Sequence, residues 1–439
     1  MADLAVIRSP AEETILTRYP AFKARQNHWG GPAVARLRDA AFDVLKANGL
    51  PTRRVEEWKY TDLRSFMRDL PEPFDAHTPE LVEAAKAAAP SLAVADAVPF
   101  LFVNGRDFST VKEEGFSWDR LEQGKAQAPS VEAALQRARP YADNAAVALN
   151  SAFMSDTTIV RIPAGTKLER PLHLVFRELG TAPFATFPRV LVVVEEGASV
   201  TLLESHDGPD GVAYQTNTLV EIEVGDGASV EHVRFNGAGD AALSLSTLGV
   251  RLGRETRFAT LAVATGAAVS RHQVFATFAG EGTQAWIGGA SLLRRRQHCD
   301  NTLVIDHAVP HCQSRELFKS VLDDESRSVF QGKIIVRPHA QKTDGKMMAQ
   351  ALLLSEAAEA DSKPELEIFA DDVVCGHGST AGALDEELLF YLKARGIPHK
   401  EAEALMVQAF VGEAVENVQN ETTRDAVMAA VAKWLEART

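Results

Sequence analysis

Near the C-terminal end of the sequence, the run ELEIFADDVVCGHGST (365–380) places a thiol, Cys375, two residues before an imidazole, His377, with Gly376 and Gly378 interleaved. On a β-strand a spacing of two keeps Cys375 and His377 on one face, while the glycines leave the opposite face bare for a close neighbour. Thiolate and neutral imidazole both bind soft and borderline metals, so the run reads as a contact surface carrying a pair of metal-binding groups. An imidazole that binds a metal through one nitrogen needs its other nitrogen held, a role Asp371 or Asp372 could fill if the turn brings either one near. The alternative is structural: cysteine is among the most buried residue types, and a histidine beside two glycines can be a satisfied turn residue.

A second group of ligand types, His298 with Cys299 and His307 with His311 and Cys312, lies upstream. The His307-x3-His311 spacing suits a helix, but residues 302–305 read as strand, where four residues span about 13 Å, too far for one ion. Asp323, Asp324 and Glu325 read as a solvated turn. No GxxxxGK[ST] loop, GxSxG elbow or HExxH pair occurs, so the sequence offers no ATP site of its own and no sign of a serine hydrolase or zincin. Asp371, Asp372, Arg337 and His339 could alternatively line the groove of a polysaccharide-active β-helix enzyme.

The elements that must position these groups fall into three regimes. Residues 1–155 read as an N-terminal helical domain: AVARLRDAAFDVLKANGLP puts Val34, Leu37, Ala41, Val44 and Leu45 on one stripe and stops at Gly49 and Pro51. A second helical stretch around SVEAALQRARPYADNAAVALNSAF closes this region, and APSLAVADAVPFLFVNGRDF reads as a short strand pair between them. Residues 156–382 are short β runs separated by glycine or acidic turns, and two of them nearly repeat: VVVEEGASVTLLES and IEVGDGASVEHVRF, with Gly197 and Gly227 thirty positions apart. A strand-turn-strand unit of roughly 25 to 30 residues without intervening helices favours a solenoid over the alternative, a sandwich, since stacked coils share one apolar interior that no coil could bury alone. Residues 383–439 read as a C-terminal helical domain. Asp385 caps a first helix that Gly396 ends, a second carries Ala402, Leu405, Met406, Ala409 and Phe410, and a third carries Val427, Val431, Trp434 and Leu435.

With 439 residues, 46% hydrophobic and 24% charged, the chain is an ordinary soluble composition, and its net charge of -14 disfavours nucleic acid or an anionic membrane as partner despite the local run Arg294, Arg295 and Arg296. No apolar run reaches the roughly 18 residues of a membrane helix. The opening MADLAVIRSPAEETIL lacks a basic region followed by an apolar core, so a cytoplasmic address is expected. Cys299, Cys312 and Cys375 are too few and too irregularly spaced for a disulfide framework.

Four segments carry a resemblance: RVEEWKYTDLR (54–64), AVALNSAFMSD (146–156), DHAVPHCQSRELFKSVL (306–322) and PELEIFADDVVCGHGSTAGALDEELLFYLKARGI (364–397). Together they resemble the SufB/SufD family of iron-sulfur cluster assembly proteins over nearly the whole chain, the SufD side more than the SufB side. The resemblance implies a right-handed parallel β-helix core flanked by N-terminal and C-terminal α-helical domains. It also implies a non-catalytic scaffold that pairs with SufB through the β-helix and binds the ATPase SufC through its C-terminal helices. A nascent iron-sulfur cluster, or iron, would then be shared with SufB at the interface. Such a cluster takes several thiolates, sometimes with histidine replacing one, more than this chain supplies. His377, and after it Cys375, are the ligands the family motif points to, and Arg395, Met406 and Phe410 lie in the segment expected to meet SufC. An unpaired β-helix edge further suggests a homodimer of the isolated chain. The alternatives are the paralogue SufB, for which a reactive sulfur-accepting cysteine would be expected, and the polysaccharide-active enzyme.

Overall fold

The structure, a computed structural model, describes residues 8–26, 31–120 and 141–438. Helices α1 (Pro10–Arg25), α2 (Gly31–Asn48), α3 (Leu63–Phe66), α4 (Pro79–Ala87) and α5 (Ala145–Phe153) come from the first third, and α6 (Glu386–Ala394), α7 (His399–Val415) and α8 (Glu421–Glu436) close the chain. Between them two sheets run the length of a parallel β-helix. One takes, in spatial order, strands Arg106–Asp107, Val98–Val103, Leu172–Arg177, Ser199–Asp207, Ser229–Gly237, Arg257–Ala264, Gln284–Leu293, Gln313–Leu322, Asp344–Leu353 and Val374–Gly382. The other runs from Ser117–Arg120 through Thr158–Ile162, Arg189–Val194, Gln215–Val224, Leu243–Leu252, Val269–Phe278, His298–His307 and Arg327–Val336 to Glu359–Ile368.

The register explains the sequence repeat. Ser199 stacks on Ser229, thirty residues on, and the two GASV runs lie one above the other. Gly165, Gly197, Gly227, Glu255, Gly282, His311 and Lys342 all have positive φ and recur once per coil at one corner. The left-handed conformation turns the chain there, and the amide of each corner residue can continue the ladder: Gly197 donates to the Asp226 carbonyl, Gly227 to Arg254 and His311 to Gln341. At Glu255, His311 and Lys342 the corner is no longer glycine, so the repeat fades from the sequence while the backbone keeps it.

The expected strand pair at APSLAVADAVPFLFVNGRDF is present as Val98–Val103 against Arg106–Asp107, but it is not enclosed by helices: Val98–Val103 pairs in parallel with Leu172–Arg177 and extends the first sheet. α2 buries Val34, Ala41 and Leu45 of its stripe, and leaves Leu37 and Val44 half-buried. Of the second helical stretch, α5 is seen, and the portion up to residue 140 lies outside the described residues. The EEWKYTDL segment clamps the outer face of the second sheet. Arg271 stacks its guanidinium 3.9 Å from the Trp58 ring, donates to the Glu57 carbonyl at 2.7 Å and pairs with Asp300, to which the Thr61 hydroxyl also donates.

Inside the solenoid, inward positions run from apolar to polar along two neighbouring strands of the first sheet: Val200 and Leu202 give way to Glu204 and His206, and Val230 to His232, Arg234 and Asn236. The apolar part is one continuous core of Val, Leu, Ile and Phe from successive coils. The C-terminal helices cover the outer face of the first sheet, where Val407, Val411, Val415, Val427, Val431 and Leu435 meet Val233, Leu261, Leu292 and Val321. Here the expected stripe of α7 is corrected. The buried face is Ala402, Val407, Val411 and Ala414, while Leu405 is exposed and Met406 and Phe410 are half-buried.

Candidate metal site at the open end of the solenoid

The strand Val374–Gly382 is the last of its sheet, with a partner on one edge only. Its register against Asp344–Leu353 sets Cys375 beside Gly345 and His377 beside Met347. Met347 is buried in the solenoid core, so Cys375 and His377 occupy inward positions of the terminal coil, on one face as their spacing requires. Cys375 is half-buried against that core, whereas His377 is exposed because no coil follows. On the opposite face the bare Gly378 is approached closely: a Cβ there would sit 3.0 Å from Met348 Cε.

Burial pushes the Cys375 thiol above its ordinary range, with Asp344 and Glu316 adding to the rise. The thiol is therefore held towards its protonated form. Neither Asp371 nor Asp372 is bonded to His377. Asp372 pairs with the Lys342 ammonium, and its carbonyl accepts from the Lys342 amide at 2.6 Å. The imidazole has no hydrogen bond to any described residue, so a metal-binding state would draw its second partner from elsewhere. Around this end the chain exposes Val374 (61%) and Phe369 (59%) as well as Ile368 and Met348.

Beneath the terminal coil lies a group that the sequence reading passed over. Glu316 shares the inward column of Met347 and His377, two strands below His377, and so about 10 Å away along the axis. It is fully buried, neither carboxyl oxygen has a hydrogen-bond partner of normal geometry, and burial pushes its pKa up to about 8. Its only sequence signal is its place in the run CQSRELF, within a segment that carries the family resemblance.

The upstream ligand types do not converge. His298 bonds the Thr61 hydroxyl at 2.9 Å, Cys299 contacts Ser291 Oγ at 3.4 Å, His307 bonds Ser314 Oγ at 3.0 Å, and His311 is a corner residue. The Cys312 thiol faces the carbonyls of Gly280 and Pro310, both at 3.4 Å. Among the described residues no three His, Cys, Asp or Glu side chains come together to hold a metal ion. Of the residues considered for a polysaccharide groove, Arg337 is engaged with Asp306 at 2.8 and 2.9 Å and Asp372 with Lys342.

At the C-terminal helices, Arg395 is exposed and stacks 5.0 Å from the Tyr391 ring, while Phe410 is taken up by this chain, with the Lys319 ammonium 4.2 Å from its ring. Arg395, Met406 and Phe410 therefore do not form one free surface. The exposed apolar groups are instead Leu388, Phe390 and Tyr391 of α6, a helix with no buried residue, and Leu405 of α7. No helix among the described residues is long and apolar enough to cross a membrane.

Comparison with known proteins agrees with this architecture. Residues 176–410 match the family model described as SUF system FeS cluster assembly, SufBD core domain, and residues 11–174 match the SufBD protein N-terminal region. An iron-sulfur cluster assembly SufBD family protein of Synechocystis is 31% identical over 87% of this chain and 86% of its own length. The iron-sulfur cluster assembly protein SufD of Escherichia coli is 29% identical over 89% of this chain and 90% of its own. With two family models matched in succession along a clamped N-terminal segment and a solenoid, this chain belongs to the SufB/SufD family of iron-sulfur cluster assembly proteins and is SufD-like within it.

Proposed function

We propose that the chain is a non-catalytic scaffold subunit of a cytoplasmic SufB/SufC/SufD-type complex, and that a nascent cluster, or iron, is held as cargo between its open solenoid end and a SufB-type partner. The supporting observation is the terminal coil: an unpaired strand edge carrying a thiol and an unbonded imidazole on one inward face, ringed by exposed Val374, Phe369 and Ile368. An exposed edge recruits another chain by backbone pairing, and the apolar rim gives that pairing buried area. His377 offers a neutral nitrogen and Cys375 a thiol that loses its proton to the metal. Since two ligands do not complete an iron-sulfur site, the partner supplies the remainder.

In this reading ATP is hydrolysed by a SufC-type partner docked on the C-terminal helices. The exposed Leu388, Phe390 and Tyr391, flanked by Arg395, supply an apolar surface with a charged rim. Phe410 contributes from behind, by holding α7 on the solenoid through Lys319. The test is reconstitution with separately purified SufB- and SufC-type partners, followed by size-exclusion chromatography. Val374→Lys with Phe369→Lys is expected to abolish association with the SufB-type partner while leaving the SufC-type partner bound. Phe390→Ala with Tyr391→Ala is expected to do the reverse. Unaltered assembly by both double variants would overturn the assignment of the two surfaces.

A further inference from the structure

The open end of the solenoid presents two strand edges, Val374–Gly382 of the first sheet and Glu359–Ile368 of the second. Along a strand in a parallel sheet, successive residues turn their N–H and C=O groups to opposite edges. On the first edge strand, Val374 donates to the Thr343 carbonyl at 2.9 Å, so Gly376, Gly378, Thr380 and Gly382 face the preceding coil as it does. The amides and carbonyls of Cys375, His377, Ser379 and Ala381 are left pointing at the open edge, and each of the four has an N–H to give.

The second edge strand differs. At its two ends Glu359 donates to the Ser326 carbonyl at 3.0 Å and Phe369 to that of Val336 at 2.9 Å. Every second residue from Glu359 therefore bonds the preceding coil, and Ala360, Ser362, Pro364, Leu366 and Ile368 turn their backbone outwards. Pro364 stands in the middle of that outward row. It has no N–H, and its ring fills the space in which a donor would meet an added strand. One residue to either side, a proline would cost a bond to Arg327–Val336, so it sits in the only phase that removes a donor from the open edge alone. Among the described residues neither outward row has a backbone partner.

We propose, building on the reading of this end as the interface for a SufB-type partner, that the two chains are joined through the first sheet alone. An edge strand of the partner adds to Val374–Gly382, and Pro364 closes the second sheet to backbone pairing. Residues opposite one another in a β pair share a face, so side chains that the partner sets opposite Cys375 and His377 project into the same inward space. The strand that fits is one with metal-binding groups at alternating positions, which brings the ligands this chain lacks to the two it has. On the second sheet, contact is confined to side chains: Leu366 and the 40% exposed Ile368 continue the inward columns of Ile334 and Val336 and offer an apolar surface. A solenoid blocked on one of its two sheets is also protected from end-to-end stacking.

The test compares two proline substitutions in the full-length chain, each at an outward-facing amide that makes no bond within it. Ser379→Pro removes a donor from the first-sheet edge and Ser362→Pro removes one from the second. Affinity for a separately purified SufB-type partner is measured by titration calorimetry, with the unfolding temperature of each free chain as the check on folding. At least a tenfold loss of affinity is expected for Ser379→Pro, with Ser362→Pro within twofold of wild type. Equal losses, or the larger loss in Ser362→Pro, would overturn the proposal. Should Ser379→Pro fail to fold, residue-resolved amide hydrogen exchange of the wild-type complex decides. Slowed exchange at Cys375, His377, Ser379 and Ala381 with no change at Ser362 and Leu366 is then expected, and slowing on both edges contradicts it. A wild-type chain that binds no SufB-type partner sinks the interface reading and this inference with it, whereas binding indifferent to Ser379→Pro sinks this inference only.

Discussion

Glu316 has no hydrogen-bond partner of normal geometry, so burial dominates its protonation, with smaller contributions from Ser314 and Arg315 that favour the charged form. Its folded-state pKa is raised from 4.5 to about 8, so the folded chain binds a proton that the unfolded chain releases. The stability from that neutral carboxyl is fully present below pH 4.5 and is lost as pH rises through about 8. Glu316→Gln keeps the shape and removes the ionisation. Denaturant titrations from pH 5 to 9 should therefore show a shallower alkaline loss of stability in the variant, by a few kcal/mol at the upper end; parallel profiles would mean Glu316 is paired in solution. At this scale the site was half legible. Cys375 and His377 could be placed on one face because strand alternation is local. The engagement of Asp372 could not be read, because Lys342 reaches it from the preceding coil, thirty residues back.

Among the elements, α7 shows why helical periodicity alone misplaced a face. It carries apolar residues on two sides, Leu405, Met406 and Ala409 on one and Val407, Val411 and Ala414 on the other, and only the solenoid beneath it decides which is buried. Val411→Ala is predicted to cost about 2 kcal/mol in chemical denaturation, whereas Leu405→Ala should stay within about 0.5 kcal/mol; equal effects would contradict the observed phase. The coils were legible where glycine marks the corner and hidden where Glu255, His311 or Lys342 replaces it, since a left-handed residue held by coil stacking leaves no local signature. A Cβ at Gly227 would meet nothing within 4 Å, so Gly227→Ala isolates the backbone cost of positive φ. A loss of roughly 1–2 kcal/mol is expected, and no loss would mean that the corner relaxes.

Over the whole molecule, a solenoid stacks without an intrinsic stop and needs something at each end. The N-terminal end carries the antiparallel strands Arg106–Asp107 and Ser117–Arg120, which end the two sheets. Among the described residues, the two sheets end at the C-terminal side with the exposed strand Val374–Gly382 and its neighbour Glu359–Ile368. The chain without partners is accordingly predicted to form a homodimer through that end, which Val374→Lys with Phe369→Lys should convert to a monomer by multi-angle light scattering. A wild-type chain that stays monomeric at high concentration would contradict it. The architecture was legible because a repeat is a global property written many times over; the vacant end was legible only through the ligand pair that sits on it.

The most direct test of the central claim is the iron and acid-labile sulfide content of the complex that a tagged chain forms with SufB- and SufC-type partners, for wild type and His377→Ala. Equal recovery of both partners with at least a tenfold loss of bound iron and sulfide in the variant is the predicted result. Undiminished iron and sulfide with His377 replaced would contradict a role for the open end in holding the cluster.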